Sequence, residues 1–228
     1  MQKPKILIVS ATKKEAKEFL NYQIKEEPKG LFQLKYKSLQ LDLLITGVGI
    51  FAMTFKFLKH LQNHTYDFII LIGISGAYSK NLQLGDVVQV ETERFGDLGV
   101  LNGESFIDIF EMNLNNENTF PFENKTLKNY SLINNDTILQ LKSVKGNTVQ
   151  TIRSKIIDSI RNNTDVESME GAAFFYICLQ ERIPFVQIRG ISNYVGEQDK
   201  KLWNIPLAVE NYSKTIFNSI EIWADNKA

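Results

Sequence analysis

Apolar residues in this chain come in short blocks set between polar segments. Residues 5–10, KILIVS, form one such block and predict a buried first strand. Residues 12–15 follow, with Ala16, Phe19 and Leu20 on one side of an expected helix. Residues 31–37 and 39–46 (LFQLKYK and LQLDLLIT) alternate or run apolar, which predicts a hairpin turning near Ser38. Gly47-Val48-Gly49 then leads into a helix at about 50–63. Residues 67–74, DFIILIGI, are strongly apolar, as expected of a central parallel strand buried on both faces. That strand runs into Gly73-Ile74-Ser75-Gly76-Ala77, a small-residue loop whose N–H groups can cradle a ligand; a plain strand-to-loop turn explains it as well. Residues 85–92 read as a further strand after a Gly-Asp turn.

The pattern loosens between 93 and 136. This stretch holds Arg94-Phe95-Gly96-Asp97-Leu98-Gly99 and an Asn-rich segment, EMNLNNENTFPFENKTLKN. Aromatic residues recur in it, so it reads as a long excursion over one face, covering a site, and not as an interdomain linker. Strand periodicity returns at 144–152, and a helix is expected near 154–162. Residues 166–196 then give a short strand, a buried helix, a tight turn and a second buried strand. An amphipathic helix is predicted from about 205 to 224. Strands and helices in this order predict an α/β fold: a three-layer α/β/α sandwich with a central mixed, partly parallel twisted sheet, in one domain spanning 1–228.

Composition narrows the partners. The 228 residues are 43% hydrophobic and 23% charged, as in an ordinary globular protein. Lys+Arg and Asp+Glu are equal at 26 each, so no net field favours nucleic acid or an anionic membrane. The single cysteine, Cys178, forbids an intrachain disulfide and fits a reducing compartment. The opening stretch MQKPKILIVSATKKE lacks the apolar core of a signal peptide, and no apolar run reaches membrane-spanning length. The expectation is a soluble cytoplasmic protein.

Candidate chemistry is sparse. His60 and His64 lie four apart near a helix end without a third ligand, so a solvated helix end is the favoured reading and no metal is expected. Cys178 lies in the apolar helix AAFFYICL, a packing position. No P-loop, G-x-S-x-G or C-x-x-C occurs, and Gly47-Val48-Gly49 is not a dinucleotide fingerprint. Three polar residues remain. Glu15 follows the first strand, but Thr12 and Glu15 also match a capping box. Glu170 starts a helix, where a carboxylate favours the positive end of the dipole. Asn193 ends a strand, where it also suits a turn. Together they put polar groups at one edge of one sheet, where ligands of open α/β sheets bind. Arg189, inside the strand QIRGI, is expected to meet a carboxylate, because an unpaired buried guanidinium is costly.

Met169-Glu170-Gly171-Ala172-Ala173, Ile183-Pro184-Phe185-Val186 and Arg189-Gly190-Ile191-Ser192-Asn193 resemble the signature of the nucleoside phosphorylase/nucleosidase superfamily. In its methylthioadenosine/S-adenosylhomocysteine nucleosidase branch these read M-E-A-x-A, V-P-F and R-A-I-S-D. Ala11–Glu15 matches that branch's G-A-M-E-x-E stretch, and the loops at 47–49 and 73–77 match its G-I-G and T-G-S-A-G-G. The resemblance implies N-glycosidic bond cleavage without a cofactor. Glu15 would deprotonate the attacking water, and Glu170, after Met169, would bind the ribose hydroxyls. Ser75, Gly76 and Ser192 would line the nucleoside site. Val149 falls where the branch stacks an aromatic ring on the purine. Asn193 stands where the adenine-specific branch has Asp. An amide cannot protonate N7 but can donate to a 6-oxo group, which points to hypoxanthine.

Ile191–Gly196, Trp203–Ala208 and the Asp97-Leu98-Gly99 loop resemble the futalosine hydrolase branch. That resemblance implies release of hypoxanthine from futalosine, in a route to menaquinone. Arg94 and Phe95 are then candidates to hold the aryl carboxylate end. Open alternatives are a methylthioadenosine/S-adenosylhomocysteine nucleosidase, a purine nucleoside phosphorylase, and a catalytically silent nucleoside binder. The superfamily's habits also imply a homo-oligomer, with a dimer favoured.

Overall fold

The computed structural model describes residues 4–103, 105–131, 135–153 and 155–225. The first three residues of the opening stretch, Glu104 and 132–134 of the 93–136 excursion, and Ser154 of the expected 154–162 helix lie outside the described residues. β1 (Ile6–Ser10) is buried throughout. It pairs in parallel with β4 (Leu39–Ile45) on one side and β5 (Phe68–Ala77) on the other. β3 (Leu31–Tyr36) and β4 make the expected hairpin, with Lys37 at positive φ in the turn. β2 (Gln23–Glu27), QIKEE, adds an edge strand that the pattern does not announce. Its residues are almost all exposed, so it has no buried face to leave a period-2 signal.

β6 (Val87–Glu93) follows. The excursion has structure of its own: β7 (Gly99–Asn102) pairs with β8 (Ser105–Asp108), and β9 (Phe122–Glu123) with β10 (Thr126–Lys128). β11 (Lys142–Thr148), β12 (Val166–Ser168) and β13 (Phe185–Tyr194) complete the strands. The helices are α1 (Lys17–Leu20), α2 (Gly49–Leu61), α3 (Asp136–Leu139), α4 (Asp158–Arg161), α5 (Gly171–Gln180) and α6 (Ile205–Asp225). Among the described residues, no helix is long and apolar enough to cross a membrane.

The expected sandwich is corrected in one respect. The central sheet is mixed and partly parallel, but it is not an open layer. β5 pairs with β13, β13 with β6, β6 with β11, β11 with β12, and β12 returns to β5. Five strands therefore close on themselves. Both β5 and β13 run for ten residues, and Gly73-Ile74-Ser75-Gly76-Ala77 is not the expected loop but the last half of β5. Glycines in both strands and a bulge between Ile191 and Asn193 let them curl far enough to meet β12 and β6.

Two apolar clusters flank the sheet. One contains Met53 and Phe57 of α2 with Phe174, Phe175 and Cys178 of α5. There the rings of Phe57 and Phe174 stack at 5.5 Å, and burial raises the Cys178 thiol's pKa well above the ordinary thiol range. The other contains Phe19 with Val209, Tyr212, Ile216 and Ile220 of α6. Between them, the C-terminal ends of β1, β5 and β13 meet the starts of α2 and α5.

Candidate active site

The turn after β1 decides between the two readings of Glu15. Thr12 Oγ1 accepts from the Glu15 N–H at 3.2 Å, which is half of a capping box. The other half is absent. The carboxylate does not return to the Thr12 N–H; Oε2 accepts from the Thr12 hydroxyl at 2.8 Å, and Oε1 accepts from the Ile74 N–H of β5 at 3.2 Å. The helix itself starts later, after Ala16, with no side-chain cap. The Tyr212 hydroxyl of α6 donates to the Glu15 carbonyl at 2.5 Å. Glu15 is thus buried and held toward the sheet edge from three directions.

Glu170 occupies the N-cap position of α5 but makes no side-chain cap there. Its Oε1 accepts from the N–H of Gly49, the first residue of α2, at 2.8 Å. Its Oε2 lies 3.9 Å from Arg189 Nη1, so the expected carboxylate partner of Arg189 is Glu170. Arg189 also donates to Ser168 Oγ at 3.3 Å and to the Ile74 carbonyl at 3.4 Å, while its Nε has no hydrogen-bond partner. A Cβ at Gly73 would sit 2.4 Å from Arg189 Nη1 and 3.0 Å from Glu15 Oε1, so this glycine admits both groups to one corner. Burial raises the Glu170 pKa, and Glu15 adds to the rise; Arg189 and the Gly49 N–H oppose it. The corner thus holds two carboxylates and one guanidinium.

Gln150, which no sequence pattern singles out, braces this corner. Its Oε1 accepts from the Ile50 N–H at 3.0 Å, and its Nε2 donates to the Met169 carbonyl at 3.0 Å. The first two N–H groups of α2 are therefore taken by Glu170 and Gln150.

Asn193 lies opposite Gly76 where Arg189 is opposite Gly73, three residues further along β5 and four along the bulged β13. Three strand residues span about 10 Å. The bulge at Ser192 re-aims the Asn193 side chain, whose Nδ2 lies 3.1 Å from where a Cβ on Gly76 would be. Asn193 Oδ1 accepts from the Ser192 hydroxyl at 2.7 Å, and Nδ2 donates to the Tyr194 carbonyl at 3.2 Å. Ser75 Oγ beside it is buried without a partner. Of the expected site residues, Glu15, Glu170, Met169, Ser75, Gly76, Ser192 and Asn193 therefore line up along this edge.

Three do not. Arg94 is buried and already engaged: Nη1 donates to the Ile160 carbonyl at 3.0 Å, and Nη2 lies 3.8 Å from Asp108 Oδ2. Burial lowers its pKa, and Asp108 opposes that. The guanidinium thus ties the end of β8 to α4. Phe95 packs edge-on to Phe122 at 6.3 Å. Val149 is fully buried with Phe106 and Ile160.

A cavity of about 1020 Å³ lies elsewhere, between α2 and the β2–β4 edge, and includes Lys56, Lys59, His60 and His64. His60 is buried and not solvated as expected: its Nε2 lies 2.7 Å from the Tyr66 hydroxyl, which donates to Asp42 Oδ2 at 2.7 Å. Among the described residues no group of three or more His, Cys, Asp or Glu is arranged to hold a metal.

The chain has the fold of the nucleoside phosphorylase/nucleosidase superfamily. Its structural neighbours include the methylthioadenosine/S-adenosylhomocysteine nucleosidase of Colwellia psychrerythraea in complex with adenine, at a TM-score of 0.77 and 19% identity, covering 96% of each chain. The enzyme from Helicobacter pylori superposes at a TM-score of 0.80 with 14% identity, covering 97% of this chain and 100% of that one. Sequence relatives divide between two names. A futalosine hydrolase of Thermus thermophilus is 26% identical over 180 residues, 76% of this chain and 78% of the relative. The Colwellia nucleosidase is 23% identical over 187 residues, 77% of this chain and 76% of the relative. No protein-family profile matches the chain. These homologues are N-glycosyl hydrolases.

Proposed function

We propose that this protein hydrolyses the N-glycosidic bond of a 6-oxopurine nucleoside, and that the nucleoside is futalosine. The observation that carries the reading is the orientation of the Asn193 amide. Nδ2 must face the Tyr194 carbonyl, because the reverse would set two acceptors against each other. The Ser192 hydroxyl then holds Oδ1. The remaining N–H of Nδ2 is a donor for the 6-oxo group or N7 of hypoxanthine and offers adenine's amino group nothing. The three futalosine hydrolases among the relatives support the same choice.

The chemistry follows from the corner at Gly73. Glu170, with one oxygen on Gly49 and one near Arg189, accepts from the ribose hydroxyls. Glu15 takes a proton from water as that water's oxygen bonds to the anomeric carbon. The bond from that carbon to the purine nitrogen breaks. The base leaves with its charge spread by the Asn193 donor and takes its proton from solvent. Two buried carboxylates favour the positive charge that grows on the ribose. They also repel a phosphate dianion, and the start of α2, a natural anion site, is already filled by Glu170 and Gln150. Both points support hydrolysis over phosphorolysis.

The protein acts as a homo-oligomer, a dimer in this reading. Val48, just before α2, and Phe51, Phe55 and Leu58 on it are exposed apolar residues that begin beside Gly49. A second copy covering those residues would also close over the Glu170 end of the site.

The test is base release from futalosine, inosine, methylthioadenosine and adenosine, with and without phosphate. Hypoxanthine from futalosine, with no sugar phosphate, is expected. Adenine from methylthioadenosine with no hypoxanthine from futalosine would give the nucleosidase alternative, which the fold supports equally. Tight binding of futalosine without release would make the protein a silent binder.

A further inference from the structure

Glu93 ends β6, is 1% exposed, and has no part in the chemistry above. Both of its oxygens are in use. Oε1 accepts from Gln187 Nε2 at 2.8 Å, and Oε2 accepts from the Thr148 hydroxyl at 2.9 Å. Thr148 Oγ1 in turn accepts from the N–H of Ala172, the second residue of α5, at 2.7 Å. A hydroxyl that donates to an anion is a better acceptor on its other side, so the carboxylate strengthens the bond to the helix.

The backbone has been cleared for this carboxylate. A Cβ at Gly171 would lie 1.9 Å from Glu93 Oε1, and one at Gly146 would lie 2.4 Å away. α5 therefore begins directly above Glu93, with its positive end toward the carboxylate. Glu170 is the residue immediately before that first turn. Its own side chain does nothing to cap α5; it points away, to Gly49 of α2. Whatever fixes the first turn of α5 fixes the direction in which Glu170 reaches.

We propose that Glu93 is a positioning residue for Glu170: through the Thr148 hydroxyl it fixes the first turn of α5, and so holds the Glu170 carboxylate between Gly49 and Arg189. The inference deepens the nucleosidase reading and rests on it for the role of Glu170. Burial raises the Glu93 pKa, while Gln187, Arg189 and Thr148 oppose the rise. Arg189 likewise opposes the rise at Glu170. One guanidinium thus supports the ionised forms of both carboxylates.

The experiment uses the full chain and three variants: Thr148→Val, which cuts the relay at constant shape; Thr148→Ser, which restores the hydroxyl; and Glu93→Gln, which keeps the shape and removes the charge. Amide exchange is read at Gly49, remote in sequence and held by Glu170, beside kcat and KM for hypoxanthine release. Thr148→Val and Glu93→Gln are expected to speed exchange at Gly49 and to lower kcat by about tenfold to a hundredfold, the cost of a misplaced group. Thr148→Ser is expected to stay near wild type. A merely structural role would lower the melting temperature and leave kcat per folded molecule and Gly49 protection unchanged. That result in Thr148→Val overturns the proposal, or in Glu93→Gln if Thr148→Val does not fold. If wild-type protein releases no base, the proposed function falls, and Gly49 exchange still decides whether Glu93 places Glu170.

Discussion

The two ends of α2 are built from the same materials and do different things. At its C-terminal end, His60, Tyr66 and Asp42 form a short chain of hydrogen bonds beside a cavity of about 1020 Å³. At its N-terminal end, Glu170 and Gln150 take the first N–H groups, and Arg189 and Glu15 stand behind them. The first group is satisfied: none of its buried side-chain atoms lacks a partner among the described residues. The second is not. Arg189 Nε and Ser75 Oγ have no partner, and a second carboxylate, Glu15, adds to the raised pKa of the one that Arg189 faces. Unmet polar groups cost stability and persist where something else benefits. The cavity and the unfinished hydrogen bonding lie at opposite ends of one helix.

The largest expected effect lies at the unfinished end. Glu15→Gln keeps the Thr12 contact and removes the base. Hypoxanthine release should fall by about 10²–10⁴-fold, the usual weight of general-base catalysis. Circular dichroism and the melting temperature should stay close to wild type. Retention of activity within a few-fold would remove Glu15 from the mechanism and leave the turn contact as its whole role. Asn193→Asp should act next most strongly, and on choice more than on rate. An acid there can protonate N7 and accept from a 6-amino group. Preference should move from hypoxanthine toward adenine nucleosides by about tenfold to a hundredfold, the worth of one or two buried hydrogen bonds. Unchanged preference in kcat/KM would mean that the base is read elsewhere.

Much of this edge was legible in the sequence, and the limits have physical causes. Short apolar blocks gave β1, the β3–β4 hairpin, α2, β5 and α6, because each has one or two buried faces. β2 escaped because an exposed edge strand has none. The closure of the sheet escaped because no local pattern records how far two ten-residue strands bend; it depends on glycines and a bulge that also read as a loop. Glu15, Glu170 and Asn193 were found from their places after strands and before a helix, with the family resemblance giving them roles. The partner of Arg94 was hidden too, because Asp108 arrives from 14 residues away in a hairpin with little pattern. Gln150 and Glu93 gave no sign. Glu93 is buried at the end of a strand and Gln150 is half-buried just past one, and the partners that give them meaning come from distant segments.

A pH titration sharpens the contrast, since the two regions should respond with opposite sign. Burial raises the Glu93 carboxyl from the ordinary 4.5 to about 7. The folded protein then holds a proton that the unfolded chain has lost, so stability falls as pH rises through that window. Glu93→Gln, which never ionises, should gain on wild type between about pH 4.5 and 7, by about 3 kcal/mol at most. Denaturant midpoints at pH 5 and pH 8 would measure it, and an equal difference at both would rule the shift out. His60 is pulled the other way, from 6.5 to about 4, by burial and then by His64. It stays neutral in the fold, so its share of stability is present above pH 6.5 and lost as pH falls toward 4.

The smallest effect is the sharpest check, because it should be absent from activity altogether. Tyr66→Phe removes the hydroxyl that joins His60 to Asp42 and leaves the ring, which Lys5 Nζ covers at 4.6 Å from its centre. His60 is buried, so its Nε2 is left without that partner; Asp42 is only half-buried and can turn to water. One unsatisfied buried group costs about 1–3 kcal/mol. The melting temperature should drop accordingly. Yet kcat and KM should hold within about twofold, since the start of α2 is fixed independently by Glu170 and Gln150 and distant sites act additively. A tenfold fall in kcat from Tyr66→Phe would mean that strain travels the length of α2. The two ends would then be one device, and the distinction between a finished and an unfinished polar cluster would not separate structure from chemistry in this fold.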